Sequence, residues 1–239
     1  MSRLDLRRRD GAPPLVVGHR GAAALAPENS LEGLEAALRL GVDFVELDVR
    51  GTEDGTLQLA HTAVRPGQPT LAAALERLTA TRTGLLLDLK ERDIEDACVR
   101  ELRRFGFVER TLACTVHAGS LRRLAAIEPL LARSLSYPDD RLGIGRRPAL
   151  APVVRAGLAA GRRTLPARAS RWVSRLGTRA LTLHWALVTP RLVERCHDAG
   201  AAVIAWTLPD AEVARTLEET GVDGMIADDP RFLMDAFPR

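Results

Sequence analysis

Seven residues of the kinds that transfer protons, bind cations or hold anions fall at or just past the ends of short apolar runs. His19 and Arg20 follow Leu15-Val16-Val17, and Glu46 and Asp48 lie within Phe44–Val49. His61 follows Leu57-Gln58-Leu59-Ala60, while Asp88 and Lys90 end the run that starts at Leu85. Side chains alternate along an extended chain, so residues spaced i, i+2 point the same way. Glu46 therefore shares a face with Asp48, and Asp88 with Lys90. Three carboxylates make an all-oxygen site, which favours Mg²⁺ or Ca²⁺ over zinc. Two imidazoles on opposite sides of a phosphorus suit a general base and a general acid. Arg20 and Lys90 beside the cation would hold and neutralise a phosphoryl group. Together these residues indicate metal-assisted chemistry on a charged ester. The competing readings are structural histidines, and carboxylates that merely form salt bridges with Arg20 or Lys90.

Lys90 stands out for a second reason. Of the 34 basic residues it is the one lysine, so 34 − 1 = 33 are arginines. Either this is a compositional accident or position 90 needs a compact ammonium rather than a planar fork.

The elements that must position these groups follow from the pattern around them. Asn29 or Ser30 is the expected N-cap of a helix, with Glu32 three after Asn29 as a partial capping box and Gly41 closing the helix. Only seven residues, 50–56, separate the run ending at Val49 from the one starting at Leu57. That is too few for a parallel crossover, so the two form an antiparallel hairpin turned at Asp54-Gly55. The hairpin returns His61 toward Glu46 and Asp48. Beyond it strand and helix patterns alternate, with helices expected over 71–78, 93–104, 120–128, 190–198 and 210–219. The Pro-, Arg- and Ala-rich stretch 138–179 reads mostly as irregular, with a helix at 149–159. Leaving out the hairpin's return arm, strands start at 15, 44, 85, 112, 133, 181, 203 and 224. Eight strands joined mostly by helices indicate an α/β protein, a (β/α)8 TIM barrel with a β-hairpin excursion after the second strand. The glycine-rich fingerprint of a doubly wound sheet is missing. Barrel sites form at the C-terminal strand ends, where the seven residues fall, as do His117, His184, Trp185, Trp206 and Asp228. His117 reads as ordinary hydrogen bonding or as reaching the pocket, His184 and Trp185 as packing or substrate contact, and His197, in an outer helix, as surface.

Composition bounds the rest. The chain has 239 residues, 46% hydrophobic and only 4% aromatic, so aliphatic side chains must fill the core. Residues 1–14 read as a disordered arm and 15–239 as one domain. The net charge of +3 is spread along the chain, and no run interleaves aromatic and basic residues, which argues against nucleic acid as a partner. Cys98, Cys114 and Cys196 fit neither a disulfide framework nor a zinc site, and read as reduced, buried thiols. Neither a secretory signal nor a transmembrane run is present, so the expected location is cytoplasmic. Arginines at 146, 147, 162, 163, 168, 171, 175 and 179 present either a solvated surface or a face for peripheral contact with an anionic membrane.

The order of GHRG, PENS, ELDV, T-x-DG, the following His, D-x-K, AWT and GVDGMIADDP, from residue 18 to 230, resembles the glycerophosphodiester phosphodiesterase family. The resemblance implies a barrel site built from His19, Arg20, Glu46, Asp48, His61, Asp88 and Lys90. It implies divalent-cation-dependent hydrolysis of a small-molecule glycerophosphodiester to glycerol 3-phosphate and an alcohol. It also implies a two-step route, a substrate hydroxyl attacking phosphorus before water opens a cyclic phosphate. Trp206 then serves either as barrel packing or as a wall against the glycerol carbons. Three departures from the family pattern stand out: Thr62 replaces the usual Asp, Asp88 replaces the usual Glu, and no extra lobe follows His61. The short 61–88 connection suggests an open rim that would admit a longer, lysophospholipid-like alcohol. A non-catalytic phosphate-ester-binding barrel is the rival, resting on Thr62 and the absent lobe. A metal-dependent lyase or isomerase would not need two opposed histidines.

Overall fold

The computed structural model describes residues 4–9, 11–139 and 151–238. The aliphatic runs form nine strands: β1 (Leu15–Gly18), β2 (Phe44–Gly51), β3 (Leu57–Leu59), β4 (Gly84–Leu89), β5 (Thr111–Thr115), β6 (Ala132–Tyr137), β7 (Ala180–His184), β8 (Ala202–Trp206) and β9 (Gly224–Ala227). Eight of them, all but β3, pair in parallel in the order β1-β9-β8-β7-β6-β5-β4-β2, and β1 also pairs with β2. The sheet therefore closes on itself as a TIM barrel. Closure removes every strand edge except the short one presented by β3.

Helices alternate with the strands: α1 (Leu31–Leu40), α2 (Leu71–Thr79), α3 (Glu95–Arg104), α4 (Ala118–Ile127), α5 (Ala151–Leu176), α6 (Pro190–Asp198), α7 (Ala211–Glu218) and α8 (Arg231–Ala236). Local chemistry starts and stops them. Ser30, Thr70, Thr189 and Asp210 each accept a backbone N–H as N-cap, and Gly41, with φ of 76°, ends α1. The cap of α1 is thus Ser30, which frees the Asn29 side chain for another use. Leucine-rich helix faces pack on the outside of the barrel, while Val17, Phe44, Leu86, Leu112, Ile204 and Ile226 fill its interior. Burial of this aliphatic surface, at about 25 cal/mol per Å², is what holds the barrel together despite few aromatics.

Two expectations need correction. Part of the arm read as disordered is packed: Leu6 is 4% exposed and joins the interior cluster with Val17, Phe44 and Leu86. Arg8 fixes it there. Its N–H donates to Asp223 Oδ1 (2.8 Å) and its guanidinium pairs with Glu218 (3.0 Å). An aliphatic plug with two polar anchors is favourable at the open bottom of a barrel, and a composition-based reading overlooks so short a contact. Asp223, fully buried, also accepts from Val203 N (2.7 Å) and lies 2.8 Å from His197 Nε2, so His197 is tied to the barrel floor rather than loose on the surface.

The second correction is α5, which runs to Leu176 instead of ending near 159. Gly157, Gly161 and Pro166 look like helix breakers, yet Leu165, Ala169, Val173 and Leu176 form a buried stripe along its inner face. Packing of that stripe outweighs the hydrogen bond lost at Pro166. The expected helix start at 149, and Arg146 and Arg147, lie outside the described residues.

Candidate active site

The first histidine is displayed by a turn that only small residues allow. A Cβ on Gly18 would sit 2.2 Å from the Gly21 carbonyl oxygen, and Gly21 has φ of 91° with its Cβ position 2.5 Å from the Gly33 carbonyl carbon. Between them Arg20 takes a left-handed backbone (φ 49°), a conformation that costs free energy and persists where surrounding contacts enforce it. Those contacts are visible. Arg20 N donates to Glu46 Oε2 (2.7 Å), and its guanidinium pairs with Glu28 and lies 3.1 Å from Asp48 Oδ2.

Strand register then brings the carboxylates together. Asp48 of β2 is directly paired with Asp88 of β4, and one oxygen from each of Glu46, Asp48 and Asp88 lies within 4.8 Å of the others. Lys90 Nζ is 2.7 Å from Asp48 Oδ1 and 2.5 Å from Asp88 Oδ2. The hairpin does what its length suggested. Thr56 N bonds the Asp54 side chain, and Gly55 turns with φ of 82°. β3 pairs antiparallel with β2, and His61 Nδ1 arrives 3.1 Å from Asp48 Oδ2. His19 Nδ1 lies 2.5 Å from Asp228 Oδ1 at the end of β9, and its Nε2 is 3.9 Å from Glu46 Oε2. The structure thus gathers His19, Arg20, Glu46, Asp48, His61, Asp88 and Lys90 at one end of the barrel. Trp206, last residue of β8, is pinned by an indole N–H bond to the Thr182 carbonyl (3.1 Å) and packs edge-on to His184.

Two contributors were not assigned roles from sequence. Asn29 is 4% exposed, donates its amide to Asp48 Oδ2 and accepts from Asp48 N, both at 2.9 Å. A cap residue and a strand partner look alike in sequence, and only the position of Asn29 inside PENS, so near GHRG, hinted at more. Asp228 was visible as a strand-end carboxylate, with nothing to mark it as the partner of His19. Of the remaining histidines, His117 is buried and accepts from Arg92 Nε (3.3 Å), while His184 accepts from Ala186 N.

The electrostatics are those of a carboxylate cluster short of positive charge. Burial, followed by repulsion from Asp48, pushes the Glu46 carboxyl well above its usual range. Burial acts on Asp48 in the same direction, but Lys90, the His61 hydrogen bond and Arg20 override it and hold Asp48 well below. Burial would lower Lys90, yet Asp88, Asp48 and Glu46 hold its ammonium above the ordinary lysine value. Arg20 is raised against burial by Asp48 and Glu46. Asp48 Oδ1 is buried and no donor approaches it along a hydrogen-bonding direction, even though Lys90 Nζ is close by; Arg20 Nε is misaligned in the same way. A buried carboxylate oxygen facing two other carboxylates fits a hard divalent cation.

Comparison with known proteins identifies the family and the fold. The model of the glycerophosphoryl diester phosphodiesterase family matches residues 19–111 and 88–232. The chain belongs to that family. It is 24% identical to a glycerophosphodiester phosphodiesterase of Caldanaerobacter subterraneus subsp. tengcongensis, over 92% of this chain and 96% of that protein. A probable glycerophosphodiester phosphodiesterase 2 of Mycobacterium tuberculosis is 28% identical over 92% and 89%. Among solved structures, a putative glycerophosphoryl diester phosphodiesterase from Silicibacter pomeroyi superposes with a TM-score of 0.77 at 23% identity, covering 96% of each chain. An Oleispira antarctica phosphodiesterase in complex with the product sn-glycerol-3-phosphate gives 0.75 at 21% identity, covering 95% and 98%. Thr62, which stands where the resemblance led one to expect Asp, is exposed. Asp48 gives His61 a carboxylate partner without it. Residues 60–70 lead from β3 to α2, and among the described residues no additional lobe interrupts that connection.

Proposed function

We propose that this chain hydrolyses a glycerophosphodiester to glycerol 3-phosphate and an alcohol, with His19 and His61 as its proton-transfer pair. The observation that carries this reading is that each histidine presents Nδ1 to a carboxylate, His19 to Asp228 and His61 to Asp48. A ring held through Nδ1 has its tautomer and orientation set, leaving Nε2 to exchange a proton with substrate. Two such rings beside one anion-binding centre suit removal of a proton from the attacking hydroxyl and delivery of one to the leaving oxygen.

Glu46, Asp48 and Asp88 would hold the divalent cation, Mg²⁺ or Ca²⁺, which when bound supplies Lewis-acid polarisation of the phosphoryl oxygens. Arg20 and Lys90 hold the phosphate, Arg20 from the β1 turn and Lys90 from the end of β4. Asn29 acts on neither proton nor phosphate; it fixes the direction of Asp48. Trp206 borders the site as the apolar side of the glycerol pocket. The uncovered rim beside α2 leaves room for an alcohol larger than a small headgroup, including a lysophospholipid-like one.

The test is release of glycerol 3-phosphate from glycerophosphocholine by purified protein, with Mg²⁺ or Ca²⁺ and with chelator. Metal-dependent turnover that His19→Ala and His61→Ala each reduce by at least about 10²-fold supports the assignment. Binding of phosphate esters without turnover of any diester would overturn it in favour of a non-catalytic barrel. Activity that survives complete chelation would remove the cation role from the three carboxylates.

A further inference from the structure

Charge is divided very unevenly along this chain. Between Asp140 and Glu194 there are eleven arginines and no acidic residue. The other 34 − 11 = 23 basic residues are outnumbered by 31 acidic ones. A net charge of +3 therefore hides a segment of +11 set against a remainder of −8. Most of the segment's described part is α5 and the strand after it.

α5 is also the wrong length for a barrel helix. β6 has six residues and β7 five, so at about 3.3 Å per strand residue and 1.5 Å per helical residue roughly eleven helical residues match the barrel's height. α5 has 26. It descends from the C-terminal face, because Leu176 lies beside the start of β7. Its fully buried stripe runs from Leu165 to Leu176, and above it partly buried Leu158 packs against the same core. The helix is therefore about fifteen residues, roughly 22 Å, longer than the barrel is tall, and the excess lies toward the face where the active site opens. Gly161, whose Cβ position is 2.8 Å from Leu187 in the turn after β7, holds the helix against the barrel rim. Pro166 removes one helical hydrogen bond near the same level.

The raised part has the composition of a membrane-surface element. Ala156, Gly157, Ala159 and Ala160 are exposed, while Leu158 between them packs toward the core, and exposed Arg162 and Arg163 follow. Further down, Arg171 and Arg175 are exposed as well, while Arg168 is occupied against the rings of Trp172 and Tyr137. Across the mouth, the β1–α1 turn presents Ala24 and Leu25, the latter 36% exposed. Apolar tips with arginines behind them match a lipid headgroup layer. A nucleic-acid groove would instead ask for polar or stacking side chains at the tip.

We propose that the upper half of α5 and its arginines dock the protein on an anionic lipid surface, with the active-site mouth facing that surface. The proposal rests on the phosphodiesterase reading only for what the mouth would receive there. Docking itself is independent of catalysis and is measured without it.

The experiment is sedimentation with phosphatidylglycerol vesicles, with phosphatidylcholine vesicles as control, on the full chain. The protein should sediment with the anionic vesicles alone and be released by high salt. R162E/R163E should bind at least about 25-fold more weakly, from about fivefold per arginine at an anionic surface. R162K/R163K should stay within about twofold. Both variants should turn over glycerophosphocholine in solution like the parent, which also verifies their fold. Equal binding to both vesicle types, unchanged binding of R162E/R163E, or retention by a duplex oligonucleotide without vesicle binding would overturn the proposal. Loss of glycerophosphocholine turnover in the parent chain, with vesicle binding intact, would instead overturn the catalytic reading.

Discussion

Asn29→Ala is the substitution that most directly tests how the site is held. The wild-type side chain makes two reciprocal bonds of 2.9 Å to Asp48, one to its carboxylate and one to its backbone N–H, in a position 4% exposed. Removing it takes a bond of about 1.5–3 kcal/mol from a charged group and leaves a buried N–H unpaired at about 1–3 kcal/mol. Alanine also tolerates the φ of 55° at this position less well than asparagine. Lys90, His61 and Arg20 still surround Asp48 and recover part of the loss. A net cost of about 3 kcal/mol follows, which for a domain of this size lowers Tm by about 6–12 °C. That loss should be seen in chelator, since it concerns the fold. In addition, the Asp48 carboxylate loses its orientation, and apparent affinity for the activating cation should fall by about 10–100-fold. Thermal melts in chelator and a metal titration of activity read the two effects separately. A variant that melts within about 1 °C of the parent refutes the burial argument. One that melts lower but titrates with metal like the parent refutes the claim that Asn29 acts through Asp48.

Further outcomes follow from other contacts. Lys90→Arg should lose at least about 10²-fold in kcat/KM, because a planar fork cannot take the place of one nitrogen between Asp48 and Asp88; parent-like rates would make the single lysine a compositional accident. Leu6→Ala should cost about 2 kcal/mol by emptying the barrel floor, lowering Tm by about 4–8 °C with turnover of a soluble diester unchanged, whereas an unaltered melt would show the arm to be unattached. Asp228 is held below the ordinary carboxylate range by its hydrogen bond with His19. Its folded value lies under its unfolded one, so its stabilisation is fully present above about pH 3.9 and fades as pH falls through the folded value. The Tm difference between parent and Asp228→Asn should therefore be constant near neutrality and close at low pH. It should be small, because the side chain is 56% exposed, and a gap that widens on acidification would contradict the assignment.

What could be read from sequence, and what could not, divides along the range of the interactions involved. Strand starts at 15 and 44 coincide with the structure, and those at 85, 112, 133, 181 and 203 fall within one residue, because a buried strand writes itself as a local aliphatic run. Glu46 with Asp48, and Asp88 with Lys90, were legible as pairs because a period of two needs no partner to be known. The approach of His61 to Asp48 was legible because a hairpin of that length has one way to return. Long-range choices left no comparable trace. α5 passes through two glycines and a proline because Leu165, Ala169 and Val173 find the barrel wall. Leu6 is ordered because the barrel floor lies open to it.

Asn29 shows the limit most clearly. Its neighbour Ser30 supplies the cap that either residue could have supplied, and once that choice is made the Asn29 amide faces inward with two groups to satisfy. Asp48 offers both, a carboxylate and a backbone N–H, where β2 passes the β1–α1 turn. A single carboxylate thus receives Asn29 and Arg20 from the β1–α1 turn, His61 from the end of the hairpin and Lys90 from the end of β4. Oδ2 is committed to the first three, and Oδ1 lies near Glu46 and Asp88 with the Lys90 ammonium 2.7 Å away. That division follows from geometry alone. It explains why Asp48 stays ionised while Glu46, buried beside it with fewer partners, is driven the other way.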